Sequence, residues 1–281
     1  MATMDLHGRI HPGDEDPTPN IPYDEDVLVS LITEIYKTIL RLRPAEEAFV
    51  VWPPPGGHQL DLSAIPPGDI VHPRLVSLMK RLPVYKSCRE CVVPSMTAVD
   101  FLRSEGMRQS RLVNLRNYDL PDDQFVLAPP TAMVLLTGWH DLTPILVLDI
   151  SDNTVRWVGD TENLEDDYTK AEKDPEKVAN WCYDYTNWPE MPAPVYFERV
   201  LQNYLEAAWI PNSVGSVWTL DEPVMAERQR LLKEEYGWPS NFREGAWKEK
   251  AEDLMQEDID KIEEERETVR ALLAARVVKT S

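Results

Sequence analysis

The chain has 281 residues, 43% hydrophobic and 9% aromatic, enough to bury a substantial core and too apolar for a disordered polymer. Its formal charge of −20 argues against binding a nucleic-acid backbone, which needs clustered Lys and Arg. There is no apolar run of membrane-spanning length, no basic start and apolar core of a secretory signal, and too few cysteines (three) for a closed disulfide framework, so a cytoplasmic or nuclear protein without a membrane partner is expected.

Residues 1–20 are polar and carry Pro12, Pro17 and Pro19, a composition that predicts a mobile tail. An α+β domain is expected over residues 21–220 and a helical extension over 221–281. The first helix starts behind Pro22 with Asp24 as its N-cap. Val27, Leu28, Leu31, Ile32, Ile35, Tyr36, Ile39 and Leu40 recur three or four apart and give it one apolar face, until Pro44 forbids continuation. Residues 49–52 read as a short strand ended by Pro53-Pro54-Pro55-Gly56-Gly57. That glycine pair is no phosphate loop, because no Lys-Ser/Thr follows and three prolines lack the backbone donors such a loop uses. Residues 73–82 predict a short helix with Leu75, Leu78, Met79 and Leu82 on one face. Residues 98–106 predict another turn or two, capped by Thr97 and ended by Gly106.

The densest run of β-branched and large apolar residues spans 132–159. Ile145–Asp149 and Thr154–Val158 read as a hairpin around Ser151-Asp152-Asn153, and residues 134–137 as a third strand entering the Gly138-Trp139-His140-Asp141 turn. Such a meander predicts an α+β fold with a central, mostly antiparallel sheet flanked by helices. An acidic loop over 160–176 and the aromatics Trp181, Tyr183, Tyr185 and Trp188 follow. Next comes a helix over 194–209 striped by Tyr196, Phe197, Val200, Leu201, Tyr204, Leu205, Ala208 and Trp209. Another helix is expected over 222–236. In the last segment, 244–276, Met255, Ile262 and Val269 recur every seven residues. Ile259 and Leu273 stand four residues after the first and third, and Arg266 takes the matching place after the second. This pattern predicts a long helix that packs on the body or pairs with another helix.

Few residues point to chemistry. Cys88-Arg-Glu-Cys91 has the spacing of half a zinc site or a redox pair, but only Cys182 remains to complete it, so ordinary loop cysteines and no metal or cofactor are expected. His140-Asp141, beside Trp139 at a strand end, has the place of a general base. No Gly-x-Ser-x-Gly or comparable nucleophile turn accompanies it, and a hydrogen-bonded structural role is the commoner outcome. Glu165-Asp166-Asp167 and Glu263-Glu264-Glu265 lack the alternation and glycine of a Ca²⁺ loop and read as solvated faces. Four aromatics in the eight residues from Trp181 to Trp188 either wall a groove for a peptide or small molecule or cover the sheet, with cover favoured.

One more pattern joins these elements. Leu146–Asp149 ends a strand with an LxxD motif, Thr154–Trp157 forms the next strand, and Ala193-Pro194 introduces a helix carrying Phe197, Leu201 and Leu205. This order resembles the SUKH superfamily, which includes fungal cell-wall-synthesis regulators and bacterial toxin-immunity proteins. The likeness covers residues 90–210; the insertion over 160–192, the proline-rich N-terminal third and the C-terminal helices lie outside it. It implies an α+β protein-interaction module without intrinsic catalysis and transfers no functional residue. The expected function is therefore non-enzymatic recognition of a protein partner through Trp139, His140 and Asp141, through the Trp181–Trp188 cluster, or through both. The alternatives are an accessory metabolic enzyme with a pocket near His140 and Trp188, and an assembly scaffold built on the C-terminal helix.

Overall fold

A computed structural model of the chain describes residues 3–11, 20–43, 49–86, 91–113, 126–138, 144–159, 185–211, 217–220 and 224–278. Its centre is a six-stranded antiparallel meander in which each strand neighbours the next in sequence: β5 (Cys91–Val93), β6 (Met96–Ala98), β7 (Ala132–Gly138), β8 (Ile145–Asp149), β9 (Thr154–Val158) and β10 (Glu190–Pro192). The expected hairpin forms with Ile145 opposite Val158 and Asp149 opposite Thr154. Asn153 closes it at φ 57, a left-handed conformation that Asn accepts more readily than most residues. The fold is α+β, as composition and patterning predict.

Side chains alternate across a strand, and here both alternate sets are buried. Met133, Leu146, Leu148, Val155 and Trp157 join the main core, while Ala132, Val134, Ile145, Val147 and Val158 join a second, smaller cluster. A bulge between Val134 and Leu136 shifts the register of β7 against β8, so that Leu135 and Leu136 both enter the main core.

The main core face lies beneath two helices. Helix α1 (Glu25–Leu42) begins at Asp24, whose carboxylate accepts from the backbone N–H groups of Asp26 and Val27, and it buries Leu28, Ile32, Ile35, Tyr36, Ile39 and Leu42. It packs along the helix Ala193–Leu205. That second helix stops four residues before its expected end because Ala207 turns left-handed at φ 51, and the N–H groups of Ala208 and Trp209 return to the Asn203 carbonyl. Trp209 is nonetheless fully buried.

Between these helices in sequence, β3 (Val50–Val51) pairs with β4 (Val84–Tyr85) and brackets α2 (Pro73–Arg81). The short helix expected over 98–106 forms later, as α3 (Ser104–Gln109), because Ala98 belongs to β6. Gly106 lies inside α3 and does not end it. A Cβ there would sit 1.9 Å from the Asp100 carbonyl oxygen, so glycine serves a close backbone approach. The Ala193–Leu205 helix is α4. Two short strands pair after it, β11 (Ile210–Pro211) and β12 (Val217–Trp218). Helix α5 (Met225–Arg230) continues as a π-helical turn, Leu231–Glu235. Helix α6 (Glu244–Val278) is anchored near its start, where Trp247 donates its indole N–H to the Leu42 carbonyl at 2.8 Å and Arg228 pairs with Asp258 at 2.6 Å.

Residues 3–11 correct the expected mobile tail. Strands β1 (Thr3–Met4) and β2 (Ile10–His11) form a hairpin, Ile10 is buried, and Trp209 donates to the Leu6 carbonyl at 2.6 Å. Gly8, at φ +83, lets the turn approach closely: a Cβ would stand 2.6 Å from the Val93 side chain and 3.1 Å from Trp209. The prolines that suggested a tail lie outside the described residues. No described helix is long and apolar enough to cross a membrane.

Candidate functional site

Of the residues singled out from the sequence, Trp139, His140, Asp141, Trp181 and Tyr183 lie outside the described residues, as do Cys88 and Cys182. Tyr185 and Trp188 are described. Both are 5% exposed and pack in the second cluster with Val134, Val147 and Val158. Cys91 is buried in β5 and not in a loop.

Tyr185 also belongs to a polar network beneath the sheet. Its hydroxyl donates to Asp149 at 2.7 Å, and Asp149 accepts from the Ser151 N–H and hydroxyl at 2.9 and 2.7 Å. Burial alone would push the Asp149 carboxyl up, but the hydrogen bonds from Ser151, Tyr185 and Thr131 outweigh it and hold the group below its ordinary range. Burial first, and the neighbouring carboxylate second, push the Tyr185 hydroxyl well above its usual value. Asp149 therefore stays ionised and Tyr185 protonated at neutral pH, a pair suited to holding geometry and poorly matched to moving a proton. The Arg156 guanidinium lies 5.6 Å from the Tyr185 ring and bonds to Thr154, Asp152 and Glu190.

A second buried cation stands at the same end of the sheet. Arg111 is fully buried and makes a forked ion pair with Asp69 at 2.8 and 3.1 Å; it also donates to the carbonyls of Ala128, Pro129 and Ala132. Every direction around it is filled, so it offers nothing to a ligand. The apolar cavity between α1, α4 and the sheet, lined by Ile35, Tyr36, Leu135, Phe197 and Val200 among others, is about 30 Å³, no larger than a single water.

An opening of ligand size among the described residues is a groove of about 470 Å³ between the Pro53–Gly57 turn and the last two turns of α2, with Val29 of α1 closing one side. Its turn follows from the sequence. Gly57 N–H returns to the Pro54 carbonyl at 2.8 Å, with Pro55 first and Gly56 second in the bend at φ +93, the arrangement of a type II turn. A Cβ on Gly57 would stand 2.9 Å from Lys80 Cβ, so glycine there lets the loop seat against α2, and the His58 N–H then bonds to the Lys80 carbonyl.

Two cations line the groove, and one of them is already paired. Arg81 donates to Glu25 at 2.8 Å and Asp26 at 2.5 Å, and Ser77 donates to the same Glu25 oxygen at 3.0 Å. Lys80 is exposed and has no acidic partner among the described residues. Glu25 is held by both Ser77 and Arg81, and no imidazole faces Ser77 among the lining residues. Among the described residues no group of three His, Cys, Asp or Glu side chains is placed to hold a metal ion.

The groove is not evident in the sequence, where the Pro-Pro-Gly-Gly stretch reads as the end of a strand and not as a phosphate loop. A signal was present: a type II turn motif on one side, and adjacent cations at a helix end on the other. Comparison with family models, with curated proteins and with solved structures finds no match for this chain.

Proposed function

We propose that this protein is a non-enzymatic interaction module of SUKH-like type, acting in the cytoplasm or nucleus, and that it takes an acidic, extended segment of a partner protein into the Pro53–Gly57/α2 groove. The observation that carries the reading is Lys80. It is an unpaired cation, among the described residues, on the rim of a ligand-sized groove in a chain of net charge −20. Pro53, Pro54 and Val29 supply rigid apolar walls that cost little ordering on binding, and Lys80 supplies charge selectivity.

A photo-crosslinking residue at exposed Pro55, introduced into the full chain and irradiated in native extract, tests the reading, with the same residue at exposed Glu234 as the control. The expected adduct maps to an acidic segment of one partner. A synthetic peptide of that segment then binds about tenfold more weakly to Lys80→Glu, the loss of one rim charge contact and its replacement by repulsion. Adducts that arise equally at position 234, or peptide binding indifferent to Lys80→Glu, would overturn it.

A further inference from the structure

The distal half of α6 carries a second surface, independent of the groove. The helix meets the body through Trp247 and Ala251, with Leu254 at the margin and Asp258 on Arg228. Beyond that point every described side chain except Ile259 is exposed: Asp260, Lys261, Glu263, Glu264, Arg266, Glu267, Thr268 and Arg270. Yet the helix continues to Val278, and apolar residues in this stretch keep a four-three spacing: Ile259, Ile262, Val269 and Leu273, with Arg266 and Arg276 completing the series. A four-three spacing is the seam of a two-helix coil, which needs a second helix to cover it.

We propose that residues 259–276 of α6 pair antiparallel with the same segment of a second copy of this chain. The charges choose the direction. In a parallel pair each seam residue meets its own copy, stacking Arg266 on Arg266 and Arg276 on Arg276 in the least solvated positions; one favourable flanking pair, Glu265 with Arg270, does not offset that. In the antiparallel register Ile262 stands opposite Leu273, Arg266 opposite Val269, and Ile259 opposite Arg276. Glu263 and Arg270 then face each other across the flank, twice by symmetry. Both are exposed and have no ion-pair partner among the described residues. The paired length is about 27 Å, short enough that the dimer is weak and concentration-dependent.

Sedimentation of the full chain reads this directly. The mass is expected to rise from 32.3 kDa towards twice that value between about 1 and 200 µM. Arg270→Glu is expected to weaken association about tenfold, since it turns two attractive flanking pairs repulsive, and Glu263→Arg in the same chain restores it. Both positions are exposed, so unchanged circular dichroism separates lost pairing from lost folding. Mixing Ile262→Cys with Leu273→Cys fixes direction: a 262–273 disulfide is expected, while 262–262 and 273–273 products alone overturn the antiparallel register. A 32.3 kDa mass across the whole range overturns the pairing itself. Lys80→Glu leaves the mass unchanged, so the groove and the helix stand or fall separately.

Discussion

The two faces of the central sheet are buried by different means. On one, α1 and α4 lie against Met133, Leu146, Leu148 and Trp157 in a largely apolar cluster. On the other, irregular segments carrying Val99, Val113, Ala128, Tyr185 and Trp188 cover Val134, Val147 and Val158. That side holds Arg111, Asp69, Asp149 and Arg156. The difference follows from the backbone. A helix satisfies its own N–H and C=O groups, so it covers a sheet with side chains alone. A buried loop brings bare carbonyls, and Arg111 answers two of them, from Ala128 and Pro129, together with the Ala132 carbonyl at the start of β7.

The largest expected effect breaks the comparison at that arginine. Arg111→Ala leaves Asp69 buried and unpaired and is expected to cost about 3–5 kcal/mol in urea unfolding. Replacing both partners, Arg111→Met with Asp69→Leu, normally restores stability when a buried pair is only a pair. Here the double variant is expected to stay about 2 kcal/mol or more below the parent, because the carbonyls still lack a donor. Full recovery would refute the role assigned to the loop carbonyls. On the helical face, Leu28→Ala is expected to cost about 3 kcal/mol through the cavity it leaves. A conservative Leu28→Met should recover most of that, since no polar group depends on the site. Smallest is Tyr185→Phe, expected to cost about 1–2 kcal/mol at neutral pH. Asp149 is held below its ordinary range, so its contribution is present above the unfolded carboxyl value and is lost as pH falls through the lower folded one. Removing the Tyr185 bond raises the folded value, and acid titration of stability should show a shallower loss than in the parent. An unchanged acid limb would mean that Tyr185 does not hold Asp149.

The same division decides what was legible in the sequence. Helices α1 and α4 and the β8–β9 hairpin were readable because burial on one face imposes a period of 3.6 or 2 on apolar residues. The loop-covered face imposes no period. Arg111 looks like any surface arginine until three carbonyls surround it, and Gly106 looks like a helix stop until the Asp100 carbonyl is found against it. Residues 3–11 depart from the tail expectation for a related reason: Gly8 and Leu6 matter through Trp209, about 200 residues away, and local composition carries no trace of that partner. Tyr185 and Trp188 pack in the second cluster. The groove escaped because its two walls, the Pro53–Gly57 turn and the end of α2, lie about 20 residues apart in sequence and only folding brings them together.

The packing of α1 on α4 also sets a timetable. Helix α1 leaves the ribosome early, but the helix that covers it is encoded about 150 residues later, which at 5–20 residues per second is a wait of about 8–30 s. Through that interval Leu28, Ile32, Ile35 and Ile39 form an uncovered apolar stripe on a nascent chain. Slow synthesis, or a truncation before Ala193, would turn the most regular helix of the fold into its stickiest surface.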